Sequence, residues 1–177
     1  MNAAAITVSD RSFRGERPDA SGPALKALLE AAGVTVVKTA IVPDEPALIA
    51  AVLRQLADEG GCELIVTMGG TGLSPRDTTP EATCQVIDKR LPGMEEAIRQ
   101  ESLKKTPFAM LSRGIVGARG RTLILNFPGS PKAVKECFAV VQPVLSHAVK
   151  LLRDEDPYAG VHPASAAHHA RSGAAHD

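Results

Sequence analysis

Tryptophan is absent, and aromatic residues make up only 3% of the 177 residues. That leaves no visible stacking platform for the bases of a single-stranded nucleic acid. Surplus charge is missing too, since 20 Lys and Arg balance 20 Asp and Glu. General nucleic-acid binders draw their affinity from excess positive charge, so no nucleic-acid partner is expected. No apolar run approaches the roughly 20 residues that span a bilayer. The N-terminus enters a strand-like segment directly and shows no secretory leader, so no membrane partner is expected either. Three cysteines, Cys62, Cys84 and Cys137, are widely spaced and odd in number. They suit neither a disulfide framework nor a zinc site, and point to reduced thiols in the cytoplasm. No histidine precedes His147. A Ser-His-Asp or Cys-His relay would need that residue, whose place in a helical pattern reads better as packing. His162, His168, His169 and His176 fall in a C-terminal stretch of Ala, Ser, Gly and Pro, where metal binding would be incidental.

What the chain does have is concentrated between Glu63 and Thr83. Leu64 to Met68 is a short apolar run that predicts a buried strand. It breaks into Gly69-Gly70-Thr71-Gly72, a loop with almost no side-chain bulk. Such a loop accepts positive φ, and its successive N–H groups can converge on an anion. Arg76 and Asp77 follow, then Thr78 or Thr79 as a helix cap, with Pro80 and Glu81 suited to the first turn. A strand, a glycine loop, a charged pair and a helix N-terminus in succession predict a phosphate-binding architecture. On the loop alone, a tight strand-to-helix turn explains Gly69 to Gly72 equally well, because neither a Walker A nor a Gly-x-Gly-x-x-Gly pattern is present.

The length fits one domain with a sizeable core. Strands are predicted at Ala3 to Val8, Val34 to Val42, Leu64 to Met68 and Thr122 to Phe127. Helices are predicted at Pro23 to Ala32, Ala47 to Glu59, Pro80 to about Arg90, Met94 to Lys104 and Lys132 to Leu152. Pro143 is expected to kink the last of these, and Asp44 to cap the helix that follows it. For Gly114 to Gly120 a small hairpin and an irregular loop both remain open. The resulting fold class is α/β, a single domain with a mostly parallel sheet and helices on both faces. Residues 1–158 form that domain, and 159–177 are expected to be a disordered tail from their composition. Ligands of such sheets bind beyond the carboxyl ends of the strands. Four loops fall there: Ser9 to Ser12, Pro43 to Pro46, Gly69 to Thr79 and Pro128 to Pro131. Together they carry arginines, carboxylates and small residues, a set suited to phosphoryl or nucleotidyl transfer. That chemistry needs mainly positioning and charge stabilisation.

The residues Thr67 to Thr83 (TMGGTGLSPRDTTPEAT) resemble the signature of the MogA/MoaB family of molybdenum-cofactor biosynthesis proteins. Ser9-Asp10-Arg11, Pro43-Asp44-Glu45, Leu91-Pro92-Gly93, Leu111-Ser112-Arg113 and Leu123 to Lys132 resemble further family blocks in the same order, and of these Pro43-Asp44-Glu45 and Leu125 to Lys132 lean towards the MogA type. The resemblance covers roughly Ile6 to Tyr158. It implies adenylylation of molybdopterin by Mg²⁺-ATP with release of pyrophosphate, on a homotrimer with transient contact to the molybdenum-insertion protein. It implies catalytic roles for Asp44 and Asp77, which would also hold Mg²⁺. Binding of molybdopterin and nucleotide would fall to Ser9, Asp10, Arg11, Gly69, Gly70, Thr71, Gly72, Arg76, Ser112, Arg113, Gly129 and Ser130. A non-catalytic molybdopterin carrier on the same scaffold is the alternative, and retention of both aspartates favours the enzyme. Plainer readings stand beside these roles. Asp44 could serve only as a cap, Asp10 could bond its own turn, Ser112-Arg113 could be a solvated pair, and Gly129-Ser130 could merely begin the last helix.

Overall fold

The structure is a computed structural model that describes residues 1–59 and 61–156. The predicted tail, 159–177, lies outside the described residues. In chain order the elements are β1 (Asn2–Val8), α1 (Asp10–Phe13), α2 (Ser21–Ala31), β2 (Thr35–Val42), α3 (Pro46–Asp58) and β3 (Leu64–Met68). Then come α4 (Thr79–Cys84), β4 (Lys89–Arg90), α5 (Pro92–Leu103), a 3₁₀ turn (Pro107–Leu111), β5 (Val116–Arg119), β6 (Thr122–Phe127) and α6 (Pro131–Leu152).

The three central strands are buried along nearly their whole length, so alternate residues supply two separate cores. Ala3, Ala5, Leu64, Val66, Leu123, Leu125 and Phe127 face α2, α5 and α6, where Leu25, Leu29, Ile98, Val134, Phe138 and Val141 meet them. Ala4, Ile6, Val8, Ile65 and Ile124 face α3 and α4, against Ile49, Leu53, Leu56 and Ala82. The sheet is therefore the middle of three layers, as the apolar runs predict.

Its six strands lie in the order β2-β1-β3-β6-β5-β4. The first four are parallel, and β5 runs antiparallel to β6. Register matters most at the carboxyl ends. Thr7 pairs with Met68, and Met68 pairs with Phe127. Ser9, Gly69 and Pro128 thus emerge side by side, and the Gly69 N–H donates to the Phe127 carbonyl at 3.0 Å.

Several local expectations change. Residues 114–120 resolve as a hairpin, β5 joined to β6 through Gly120-Arg121 with Arg119 opposite Thr122. The helix after Pro80 stops at Cys84, because Asp88 N–H and Leu91 N–H donate to the carbonyls of Ala118 and Val116 at 2.8 Å each. Those bonds extend the sheet by β4. The Ser9 to Ser12 loop contains a helical turn, capped by Ser9 Oγ accepting from the Ser12 N–H at 3.2 Å. Pro143 lies on the exposed side of α6, which continues past it to Leu152.

Candidate active site

The loops at the carboxyl ends enclose a cavity of about 510 Å³. Its wall includes Ser9, Asp44, Gly69, Gly70, Thr71, Gly72, Asp77, Gly129 and Ser130. The glycine loop is held by two bonds from α4: Thr79 Oγ1 donates to Gly69 O at 2.9 Å and Thr79 N–H to Gly70 O at 3.1 Å. Gly69 has φ +107° and Gly70 φ +62°, conformations that side chains rarely adopt. Space forbids a substituent as well. A Cβ on Gly70 would stand 2.3 Å from Thr79 Oγ1 and 3.1 Å from Asp44 Oδ1. The space that a side chain would need at Gly70 is therefore filled by protein. Among the described residues the N–H groups of Gly70, Thr71 and Gly72 make no hydrogen bond, which leaves three consecutive donors for an anion. Ser130 Oγ caps α6 by accepting from the Ala133 N–H at 3.2 Å, and presents the start of a 22-residue helix beside them.

Asp44 does not cap α3. Its Oδ2 accepts from the Asp10 N–H at 2.8 Å, and Asp10 Oδ1 accepts from the Asp44 N–H at 3.0 Å. The two loops are thereby clasped by a reciprocal pair of bonds. Arg76 closes the clasp from outside, donating from Nε and Nη2 to Asp10 at 2.9 and 3.0 Å and from Nη2 to Glu45 at 2.8 Å. Burial works against ionisation of Asp10, but the Asp44 N–H and the Arg76 guanidinium outweigh it and hold that carboxyl below its ordinary value. Asp44 shifts the other way. Burial pushes its carboxyl up, and the charges of Asp10 and Asp77 add to the effect against the Asp10 N–H.

Asp77 sits across the loop from Asp44. Its Oδ2 accepts from the Ser74 N–H at 2.8 Å, and a Cβ at position 72 would stand 2.9 Å from that oxygen. Arg113 supports this side from behind, donating to Gly72 O at 2.7 Å, to Asp77 O at 2.5 Å and to Glu81 Oε1. Deeper still, buried Asn126 donates to Thr67 Oγ1 and Thr83 Oγ1 at 2.9 Å each and accepts from the Ile115 N–H at 3.2 Å. This network ties β3, β6 and α4 together under the glycine loop.

A family profile described as "Probable molybdopterin binding domain" matches residues 4–147. The chain belongs to this molybdopterin-binding family. It is 47% identical to the molybdopterin adenylyltransferase of Haemophilus influenzae over 133 residues, 74% of this chain and 68% of that one. It is also 47% identical over 151 residues to the Drosophila melanogaster molybdenum cofactor synthesis protein cinnamon, covering 85% of this chain but only a quarter of that longer protein. The fold superposes on the crystal structure of the molybdopterin biosynthesis enzyme MoaB from Thermus thermophilus with a TM-score of 0.82 at 50% identity, over 87% of this chain and 97% of that one.

Within this molybdopterin-binding domain the predicted residues separate into three groups. Ser9, Asp44, Gly69, Gly70, Thr71, Gly72, Asp77, Gly129 and Ser130 share the cavity wall. Asp10, Arg76 and Arg113 lie behind it and act on its shape, because their side chains are engaged by protein groups. Arg11 is exposed on α1 away from the wall, and Ser112 lines a neighbouring apolar cavity of about 260 Å³. Thr7, Arg17 and Ser21 were not predicted yet border the cavity that the glycine loop lines. The last two lie in and just after a polar loop that carries no periodicity, and nothing in the sequence separates Arg17 from its neighbours Arg11 and Arg14. Among the described residues no group of three or more His, Cys, Asp or Glu forms a metal cage. Two carboxylates still fit Mg²⁺, which takes one or two of them and completes its shell with substrate oxygens and water. In both Asp44 and Asp77 it is Oδ2 that accepts a backbone N–H, while Oδ1 accepts none among the described residues.

Proposed function

We infer that the chain is a molybdopterin adenylyltransferase of molybdenum-cofactor biosynthesis, using ATP and releasing pyrophosphate. The observation that carries this reading is one cavity in which two carboxylates flank three unpaired backbone N–H groups, in a chain of this family. The N–H groups of Gly70 to Gly72 and the start of α6 suit phosphate oxygens. Transfer joins a phosphate oxygen of molybdopterin to the α-phosphorus of ATP, and the bond from that phosphorus to the bridging oxygen breaks. Asp44 and Asp77 would hold Mg²⁺, which when bound neutralises phosphate charge. The clasp with Asp10 keeps Asp44 facing the glycine loop, and Arg113 fixes the backbone at Gly72 and Asp77. Preorganised groups of this kind act where charge redistributes in the transition state.

A cytoplasmic location, supported by the widely spaced, odd-numbered cysteines, is part of this reading. Assembly as a homotrimer, with transient contact to the molybdenum-insertion protein, belongs to the same reading. Phe108, 75% exposed, and the exposed Met110, Leu111 and Leu73 support an assembled state, since solvent disfavours such groups. Light scattering at micromolar concentration should give three times the chain mass. The deciding assay is pyrophosphate release from ATP, which should require both molybdopterin and Mg²⁺. Tight molybdopterin binding without any release would identify a carrier instead.

A further inference from the structure

The cavity has an electrostatic imbalance. ATP brings several negative charges, and the wall already carries the carboxylates of Asp44 and Asp77. Most nearby arginines are engaged elsewhere: Arg76 by Asp10 and Glu45, Arg113 by Gly72, Asp77 and Glu81, and Arg14 by Glu16. Arg11 is exposed outside the wall. Among the described residues Arg17 is the only Lys or Arg on the cavity wall, and its side chain makes no hydrogen bond or ion pair.

Its backbone is nonetheless held on both sides. Before it, the Glu16 N–H donates to Arg11 O at 2.9 Å and the Gly15 N–H to Ser12 O at 3.1 Å. After it, Asp19 Oδ2 accepts from Thr7 Oγ1 at 2.8 Å, and Asp19 Oδ1 accepts from the N–H groups of Ser21 and Gly22 at 3.0 Å each. Thr7 belongs to β1, so the loop is pinned to the sheet beside the cavity. An unpaired arginine on a pinned loop that lines the pocket offers the planar fork that suits bidentate phosphate binding.

We propose that Arg17 receives the β- and γ-phosphates of ATP and holds the pyrophosphate as it departs. This rests on the adenylyl-transfer reading of the same cavity. When the bond between the α-phosphorus and the bridging oxygen breaks, its electron pair leaves on pyrophosphate. The Arg17 guanidinium meets that added charge while the new bond to molybdopterin forms on the α-phosphorus.

The test is equilibrium binding of inorganic pyrophosphate and of ATP, each with Mg²⁺, to the full chain by calorimetry, beside a turnover assay. Arg17→Ala should weaken both ligands roughly tenfold or more, as expected for a lost charge-assisted pair. Molybdopterin affinity and thermal midpoint should hold. Arg17→Lys keeps the charge without the fork and should fall between the two. Arg14→Ala, on the same loop with its guanidinium on Glu16, should bind pyrophosphate like the unaltered protein. Unchanged pyrophosphate affinity in Arg17→Ala overturns the proposal, and so does an unaltered protein that fails to bind pyrophosphate at millimolar concentration. Pyrophosphate binding that depends on Arg17, in a protein that never turns over, would uphold this site and refute the transferase reading.

Discussion

Two acidic side chains, Asp44 and Glu95, sit in contrasting clusters. Glu95 is buried on α5, where Arg90 donates to it from Nε and Nη2 at 2.9 Å each and the Val116 N–H at 3.1 Å. Arg99 adds a contact at 3.5 Å. Both its oxygens are occupied, and the group they make is a brace between α5, β4 and β5. Asp44 is only half-buried, and its Oδ2 takes one backbone N–H while Oδ1 stays open beside Gly70. Partners also set opposite shifts. Burial raises Glu95, but its arginines and the Val116 N–H overcome that and leave it low, whereas burial prevails at Asp44. A satisfied carboxylate stabilises the fold. One left with a free oxygen facing a cavity is available for chemistry.

The contrast breaks most sharply if activity and stability fail to separate. Asp77→Asn keeps shape and removes charge on the open side, so turnover should fall on the order of a hundredfold or more. Molybdopterin binding and the unfolding midpoint should stay near normal. Near-normal pyrophosphate release in this variant would refute the catalytic role. Asp44→Asn should behave alike, and the double variant should be little worse than the poorer single if both act on one unit.

Glu95→Ala should do the reverse. Loss of the buried carboxylate leaves the Val116 N–H unpaired and should cost on the order of 2–3 kcal/mol in denaturant titrations. Turnover per folded molecule should change far less. Because Glu95 is lowered, its stabilisation is present above the ordinary glutamate value of 4.5 and is lost as pH falls through its lower folded value. The variant's stability should therefore vary less with acid pH, and an unchanged acid slope would remove Glu95 from the account.

Gly70→Ala strains the wall from within. Its Cβ meets Thr79 Oγ1 at 2.3 Å with φ at +62°, so stability should drop by about 1–3 kcal/mol. ATP binding should weaken with it, since the unpaired N–H groups move. Unaltered ATP affinity would show that these N–H groups hold no phosphate.

The smallest effect concerns pH. If Asp44 acts as a carboxylate in the proposed transfer, its ionised form is the active one, and burial raises that carboxyl above the ordinary 3.8. The acid limb of kcat/KM should therefore lie above that value. Arg76 is one of the groups that lowers Asp44, so Arg76→Gln should move the limb to higher pH. A limb that stays in place would separate Asp44 from the rate.

The three-layer α/β fold, the carboxyl-end location of the site and most of its wall were legible in local pattern. Short apolar runs such as Leu64 to Met68 and Leu123 to Phe127, ended by glycine or proline, point to doubly covered strands, and Gly69 to Gly72 to a loop of little bulk. Side-chain partners were not legible, because they depend on distances between segments far apart in the chain. Asp44 looked like a cap for α3 until the sheet brought Asp10 to it, and α4 looked longer until β5 offered Lys89 and Arg90 a ladder. Arg11 and Arg76 could not be told from Arg17 by residue type, since all three are arginines near polar turns. The sequence alone placed four loops at the carboxyl ends of one mostly parallel sheet, through apolar runs that alternate with amphipathic helices. Only tertiary structure decided that Arg17 is the one that is both unpaired and on the cavity wall, because pairing is settled by which carboxylate comes within about 3 Å.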